Sequence, residues 1–206
     1  IDKRLSHDKK DKLKKLDIVT PLIKKYSKKI SLINELMKTN IFDEDNLFEI
    51  VKESVADYKE FLKNPLLEKQ KNEDFWFFEH RNIQEYFAAK VLSELSVKKI
   101  KKNILIKGTK KTHPTLFNTI TFLINILEAG KYEELVDWFI ENEPELLFKA
   151  DSNRTDTIKV KVFQGYFKTE YVDKSLWITT NKTFSIKKLA DFANRAENFY
   201  YLPKFV

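Results

Sequence analysis

The sequence predicts a mainly α-helical protein with one small β-hairpin. Its 206 residues include only three glycines and five prolines, which leaves few positions for tight turns or glycine-lined ligand loops. Apolar residues recur near the helical period through most of the chain. A hydrophobic content of 42%, with 14% aromatic residues, is enough to bury a core in one large domain or in two small ones.

Two amphipathic segments near the beginning of the chain are predicted to be helical. Apolar residues between 16 and 36 recur at the helical period, and this helix is either interrupted or begun near Pro21. Between residues 42 and 64, acidic residues precede an apolar stripe, as is favourable at a helix N-terminus. That segment predicts one or two further short helices.

Residues 65–78 predict the β-hairpin. They contain two short apolar pieces, Leu66–Leu67 and Phe75–Phe78, separated by a polar stretch. The second piece is too short and too aromatic to form a helix by itself, whereas aromatic residues suit a strand.

A further helix is expected to begin at Ile83. Asn82 and Glu85 have the spacing of an N-cap residue and of the acid that reaches back to the cap nitrogen. Over residues 1–95 the predicted order is helices, a hairpin and a further helix, which is the order of elements in a winged helix. We therefore predict a winged-helix domain over this range.

Residues 96–206 are predicted to form a second, α-helical domain, in which helical pairs could stack as in a solenoid. A helix that is apolar nearly all round is expected to end at Gly130, and an amphipathic helix follows it. Residues 157–169 favour a helix, with a strand as the alternative because Val and Lys alternate there. Ser185 is predicted to cap the last helix.

The net charge of +7 comes from 38 basic and 31 acidic residues, with lysine clusters at 9–15, 24–29, 98–102 and 107–111. Such clusters could contact phosphates. Acidic residues are interleaved elsewhere, however, and no arginine or aromatic pattern for base readout accompanies the lysines. We therefore interpret them as solvated helix faces, and DNA is not the expected partner.

The chain has no cysteine, which excludes disulfides, thiolate zinc sites and a cysteine nucleophile and suits a reducing compartment. No apolar run approaches the roughly 20 residues that span a bilayer, and the basic start lacks a signal-peptide core. We expect no membrane association and a cytoplasmic location. Because the first residue is Ile1 and the one methionine is Met37, we also expect a piece of a longer chain.

No catalytic or metal site is predicted, and no enzyme activity is expected within these residues. The glycines lack the spacing of a phosphate-binding loop of the form G-x-x-x-x-G-K-S/T. His7, His80 and His113 lack the spacing of a helical metal site, and His113 before Pro114 is a predicted turn residue. His80 lies between an aromatic strand and a helix, where it either packs locally or points outward as a working group.

The segment FFEHRNIQEYFAAKVL, residues 77–92, resembles part of the winged-helix domain of NACHT-type STAND ATPases. These signal-transduction ATPases include animal NOD-like receptors and bacterial antiviral sensors, and their pattern is roughly F-x-H-x-x-x-Q-E-Y/F-F/L-A-A. The matching residues follow in order without a gap: Phe78, His80, Gln84, Glu85, Tyr86, Phe87, Ala88 and Ala89. The resemblance extends more weakly over the whole chain.

The resemblance implies that the chain is a regulatory part of an ATPase switch, with a winged helix and a helical arm that leads to a C-terminal sensor, in signalling or antiviral defence. In related proteins the histidine at the position of His80, which corresponds to that of the MHD motif in plant resistance proteins, faces the β-phosphate of ADP and helps to hold the closed state. ATP or ADP and Mg²⁺ would bind in the full-length protein, with no cofactor in this part alone. The implied partners are an upstream NTPase domain of the same chain, a protein ligand at the sensor, and further copies of the protein on activation.

Two other functions stay open from the residues alone. A winged-helix DNA-binding protein would use the lysine clusters, and its affinity for duplex DNA would fall steeply with salt. A helical scaffold would bind proteins through its helical arm and would not depend on His80.

Overall fold

The structure is a computed structural model. It describes residues 21–51, 54–70, 74–149, 156–172 and 186–198. These residues are mainly helical and include a small three-stranded antiparallel sheet, which confirms the predicted fold class. The chain divides into two compact units, Ile1–Val91 and Leu92–Val206; the sequence placed this boundary a few residues later, after residue 95.

The first unit follows the order helix, strand, two helices, two strands and helix, which is the order of a winged helix. Its elements are α1 (Pro21–Met37), β1 (Ile41–Asp43), α2 (Glu44–Val51), α3 (Val55–Phe61), β2 (Leu67–Lys69), β3 (Phe75–Phe78) and α4 (Arg81–Ser93).

Strand β3 is the central strand of the sheet, with β1 on one side and β2 on the other. Phe42 of β1 lies opposite Trp76, and Leu67 of β2 lies opposite Phe78. The hairpin of β2 and β3 was predicted, whereas β1 was not. A strand of three residues with one buried side chain, Phe42, is too short to show the alternation that identifies strands in a sequence.

Helix α4 begins at Arg81, so the predicted start at Ile83 with Asn82 as its N-cap is wrong. The N–H of Ile83 donates to the carbonyl of His80 at 2.9 Å, which places Asn82 inside the first turn. Glu85 is buried and accepts a hydrogen bond from Nε of Arg81 at 3.1 Å. Its carboxylate therefore pairs with a side chain one turn earlier on the same helix.

The core of the first unit lies where α1 meets α3 and the sheet. Tyr26 and Phe61 are almost fully buried and meet edge to face, with ring centroids 6.0 Å apart. Leu47 and Val51 of α2 are fully buried beside them. Burial of each such side chain contributes about 1.5–3 kcal/mol relative to exposure, which makes this cluster the main stabilising feature of the unit.

The second unit contains five α-helices among its described residues: α5 (Val97–Ile104), α6 (Phe117–Ile126), α7 (Ala129–Asn142), α8 (Lys159–Phe167) and α9 (Ile186–Ala193). Short 3₁₀ turns accompany them at Pro114–Leu116, Pro144–Lys149, Asp156–Ile158 and Ala196–Asn198, and a π-helical turn covers Lys168–Val172. Helix α8 lies in the segment for which a strand was the alternative, so the helical prediction is confirmed. Its buried residues repeat at helical spacing: Val162, Phe163, Tyr166 and Phe167.

The prediction that Gly130 ends the apolar helix is wrong. Helix α6 ends at Ile126, because the buried Leu127 takes an extended conformation with ψ 143°, and Gly130 lies in the first turn of α7. When the residue after the last helical turn is extended, the helix does not require a glycine in the left-handed conformation at its C-terminus. The predicted cap Ser185, His7 and the lysine cluster at 9–15 lie outside the described residues, and solenoid stacking stays a prediction.

Aromatic packing and one glycine define the core of the second unit. The ring of Phe148 is buried against Phe192 and Tyr166, with centroids 4.6 and 5.4 Å away. Helices α7 and α8 approach so closely that a Cβ on Gly165 would lie 2.6 Å from the carbonyl oxygen of Ile140. The missing side chain at Gly165 is thus what allows this helix pair to pack.

Candidate functional site

The candidate site is the junction between strand β3 and helix α4, where His80 lies. His80 follows the central strand of the sheet and its side chain is exposed. Its carbonyl accepts the hydrogen bond from Ile83 that begins α4. Within the described residues no side chain makes a hydrogen bond or ion pair with the imidazole. The ring is therefore accessible to a ligand or to another part of a longer chain.

The backbone on both sides of His80 is held in place by packing and hydrogen bonds. Phe78 is buried, and its ring contacts those of Phe42 and Phe87 with centroids 6.2 and 6.4 Å away. The N–H of Glu79 donates to the carbonyl of Leu66 at 2.9 Å. His80 consequently projects from a position fixed by the sheet on one side and the helix on the other.

Gln84 is buried and joins α4 to α1. Its amide nitrogen donates to Oε1 of Glu35 at 2.8 Å and to the carbonyl of Thr39 at 3.0 Å. Its amide oxygen accepts from Asn34 at 3.2 Å. All three side chains in this network are at most 3% exposed, so Gln84 fixes the start of α4 and does not face solvent.

The other residues of the quoted motif divide between packing and exposure. Glu85 is buried, and so are Ala88 and Ala89, whose small side chains allow a close approach on that side of the helix. Tyr86 is 37% exposed, with the ammonium group of Lys90 5.6 Å from its ring centroid. Of the motif's charged, amide and imidazole side chains, His80 before the helix is exposed, whereas Gln84 and Glu85 on the helix are buried.

A charged cluster joins β2 to α2 on the same unit. Lys69 lies 3.0 Å from carboxylate oxygens of both Glu44 and Asp74, and the hydroxyl of Tyr58 donates to Glu44 at 3.2 Å. The hydrogen bond from Lys69 lowers the pKa of Glu44. Burial, together with the charge of Glu44, raises the pKa of Tyr58 to about 12. Neither group titrates near neutral pH, so the cluster has a structural role.

The helices that would form the DNA-reading pair of a winged helix are acidic. Helix α2 carries Glu44, Asp45 and Glu49 and no basic residue. Helix α3 carries Asp57 and Glu60 against Lys59. These charges would repel the phosphates that line a DNA groove.

In the second unit, His113 caps a turn, as predicted. Its Nδ1 accepts from the N–H of Thr115 at 3.3 Å and lies 2.8 Å from the hydroxyl of the same residue. Pro114 follows as the first residue of the 3₁₀ turn. The imidazole of His113 is therefore engaged in hydrogen bonds within this turn.

Two acidic residues at the end of α7 are less exposed than the sequence led us to expect. Glu143 is buried, and its carboxylate accepts from the N–H of Thr112 at 2.6 Å. Burial raises the pKa of Glu145. The sequence treated the carboxylates on lysine-rich helices as solvated, and these two depart from that expectation, as do the buried Glu35 and Glu85.

An open cleft of about 570 Å³ lies between α7, α8 and the π-helical turn. Its charged lining residues are Asp137, Glu141, Lys161 and Lys168. It is open to solvent, and charged side chains of both signs line it.

Across the part of the chain that the structure describes, no group of three or more His, Asp or Glu side chains could hold a metal ion. None of the helices in these ranges is long and apolar enough to cross a membrane. No family model, no curated protein and no solved structure matches the chain.

Proposed function

We propose that the chain is a regulatory part of a NACHT-type STAND ATPase, consisting of a winged helix and a helical arm. The likeness of residues 77–92 to that family's motif supports the proposal, as does the winged-helix order of the first unit. The arm would couple nucleotide-dependent switching to a C-terminal sensor. On the same likeness, the protein acts in the cytoplasm in signalling or antiviral defence.

The observation that carries the proposal is the exposure of His80 beside a buried Gln84. A nucleotide-contacting histidine has to present a free imidazole from a rigid backbone, and a charged or hydrogen-bonding ring suits a phosphate. In the proposed mechanism His80 contacts the β-phosphate of ADP in the closed state. Loss of this contact, together with ligand recognition and ATP, favours an open state that oligomerises.

The acidic residues of helices α2 and α3 favour the nucleotide-switch proposal over the DNA-binding alternative. A winged helix that packs against a neighbouring NTPase domain has no need of basic residues on these helices, whereas one that enters a DNA groove does.

The proposal is tested first on the coding sequence and then on the full-length protein. Upstream of Ile1, in the same frame, we expect a phosphate-binding loop followed by an acidic strand end that holds Mg²⁺. The purified full-length protein should contain bound ADP, detected by chromatography after denaturation. A start codon directly before Ile1, or a full-length protein that binds no adenine nucleotide, would refute the proposal.

A further inference from the structure

One segment of the second unit contains several lysines and no acidic residue. Between Leu95 and Leu127 the sequence has seven lysines, no arginine and no acidic residue. Within the segment itself no acidic residue offsets these seven positive charges. We call residues 97–111, which contain all seven lysines, the basic segment.

Helix α5 presents its lysines on the side opposite its buried face. The buried side is apolar: Val97, Ile100 and Ile104. Lys98, Lys99 and Lys102 are exposed, and at 3.6 residues per turn they lie within an arc of about 100° on the opposite side. Packing of the apolar face thus fixes the direction of three ammonium groups.

The loop after α5 has a defined shape. Leu105 and Thr112 form an antiparallel bridge, and the N–H of Ile106 donates to the carbonyl of Lys111 at 2.9 Å. Gly108 at the tip has a φ of 79°, a left-handed conformation that favours glycine. The loop is therefore a short hairpin-like turn.

Two contacts attach this loop to the end of α7. The carboxylate of Glu143 accepts from the N–H of Thr112 at 2.6 Å, and the ammonium group of Lys111 donates to the carbonyl of Asn142 at 3.0 Å. Lys101 is also engaged, with its ammonium group 5.9 Å from the ring centroid of Trp138.

The remaining five lysines are exposed and form no salt bridge with any described carboxylate: Lys98, Lys99, Lys102, Lys107 and Lys110. The sequence analysis interpreted the lysine clusters as solvated helix faces, since acidic residues are interleaved elsewhere in the chain. The basic segment is the exception, because it contains no acid and its five free ammonium groups project from ordered backbone. Such an arrangement attracts a polyanion with regularly placed charges.

The chemistry of the segment favours nucleic acid over an anionic membrane. A membrane-surface helix exposes an apolar face, whereas the apolar face of α5 is buried, and Ile106 is the one large apolar side chain exposed in the segment. Lysine ammonium groups contact phosphates as point charges, and the segment has no arginine for bidentate base recognition.

We infer that the basic segment binds the phosphate backbone of a nucleic acid without base selectivity. The surface belongs to the helical unit and differs from the DNA-reading helices of a winged helix, which are acidic here. This inference does not depend on the nucleotide switch and can be tested on the 206-residue chain alone.

The test is a fluorescence-anisotropy titration of labelled duplexes of about 20 base pairs, with two unrelated sequences, at about 50 and 200 mM salt. If five phosphate contacts form, the affinity should fall about 500-fold between these salt concentrations. The triple variant Lys98→Gln, Lys99→Gln, Lys102→Gln should bind more weakly and lose only about 12-fold over the same range, because two contacts remain. Both sequences should bind alike.

The matched control is Lys24→Gln, Lys63→Gln, Lys187→Gln, which removes the same charge from exposed lysines elsewhere. It should retain the parent's salt dependence. The inference is overturned if the parent shows no salt-dependent binding, if the control loses as much affinity as the α5 variant, or if one duplex sequence is strongly preferred. It is also overturned if vesicles of phosphatidylserine and phosphatidylcholine bind the chain while the duplexes do not.

Discussion

Gln84 shows how one residue of the motif supports another. Its side chain makes three hydrogen bonds in a buried site, to Glu35, Thr39 and Asn34. These bonds hold the first turn of α4 against α1, directly after His80. Gln84 is thus a positioning residue for the exposed histidine rather than a ligand contact.

Replacement of Gln84 by Ala should destabilise the first unit by about 1–3 kcal/mol, because two donors and one acceptor are removed from a buried network. The measurement is the free energy of unfolding from urea titration. Asn82→Ala on the same helix is the control, since Asn82 is exposed, and it should change the stability by less than about 0.5 kcal/mol. Equal effects of the two substitutions would contradict the role given to Gln84.

Glu145 makes stability depend on pH. Burial raises the pKa of its carboxyl, and the nearby charges of Glu143 and Glu170 act in the same direction, against Lys111. The folded state therefore favours the protonated form. Stability from this group is fully present below the pKa of the unfolded chain and is lost as pH rises through the folded pKa.

Glu145→Gln, which stays neutral, should therefore be more stable than the parent at about pH 7, and the difference should disappear at about pH 4 and below. Thermal unfolding of both proteins, followed by circular dichroism between about pH 4 and pH 7, measures this difference in stability. Glu141→Gln, at an exposed position on α7, serves as the control. A stabilisation by Glu145→Gln that is the same at every pH would exclude ionisation as its cause.

At the scale of elements, the packing of α7 on α8 depends on Gly165. Gly165→Ala should destabilise the second unit by about 1–3 kcal/mol, because the new Cβ would meet backbone that cannot move aside cheaply. Gly130→Ala is a matched control, since no heavy atom lies within 4 Å of its added Cβ. That change should instead stabilise by about 0.4–1 kcal/mol by restricting the unfolded chain. Urea midpoints measure both, and a tolerated Gly165→Ala would refute the close approach.

The sequence predicted elements well where their signal is periodic. The apolar stripes of α1 and α8 recur at helical spacing, and the aromatic run of β3 is too short for a helix, so these elements follow from local pattern. Helix ends were predicted less well. At Asn82 and Gly130 a residue type common at caps lies inside a helix: α4 begins one residue before Asn82, and α6 ends before the extended Leu127, so that Gly130 falls in the first turn of α7.

The candidate site was predictable only in part. The motif and the junction indicate His80, since both are local in sequence. The partner of Gln84 is Glu35, 49 residues away, and nothing in the pattern of α1 marks that glutamate as buried. Long-range polar contacts of this kind depend on the packing of helices, which a single sequence does not specify.

At the scale of the whole molecule, the two units differ in the order of their elements and in their charged segments. The first unit has the order of a winged helix with acidic α2 and α3, and the second unit contains the basic segment, which has seven lysines and no acidic residue. Under the proposed function, the first unit contacts nucleotide through His80 and the second forms the arm that leads to the sensor. The inferred nucleic-acid surface lies on that arm.

The rate of ADP release from the full-length protein tests the central proposal most directly. His80→Ala should accelerate release by about 10- to 150-fold, because a hydrogen bond to a charged group contributes about 1.5–3 kcal/mol. His80→Ala should also raise signalling by the full-length protein in the absence of its protein ligand. The same substitution in the 206-residue chain should alter little beyond local stability. Asn82→Ala should release ADP at the parent's rate. Unchanged ADP release from His80→Ala would contradict the assignment of His80 as the nucleotide contact.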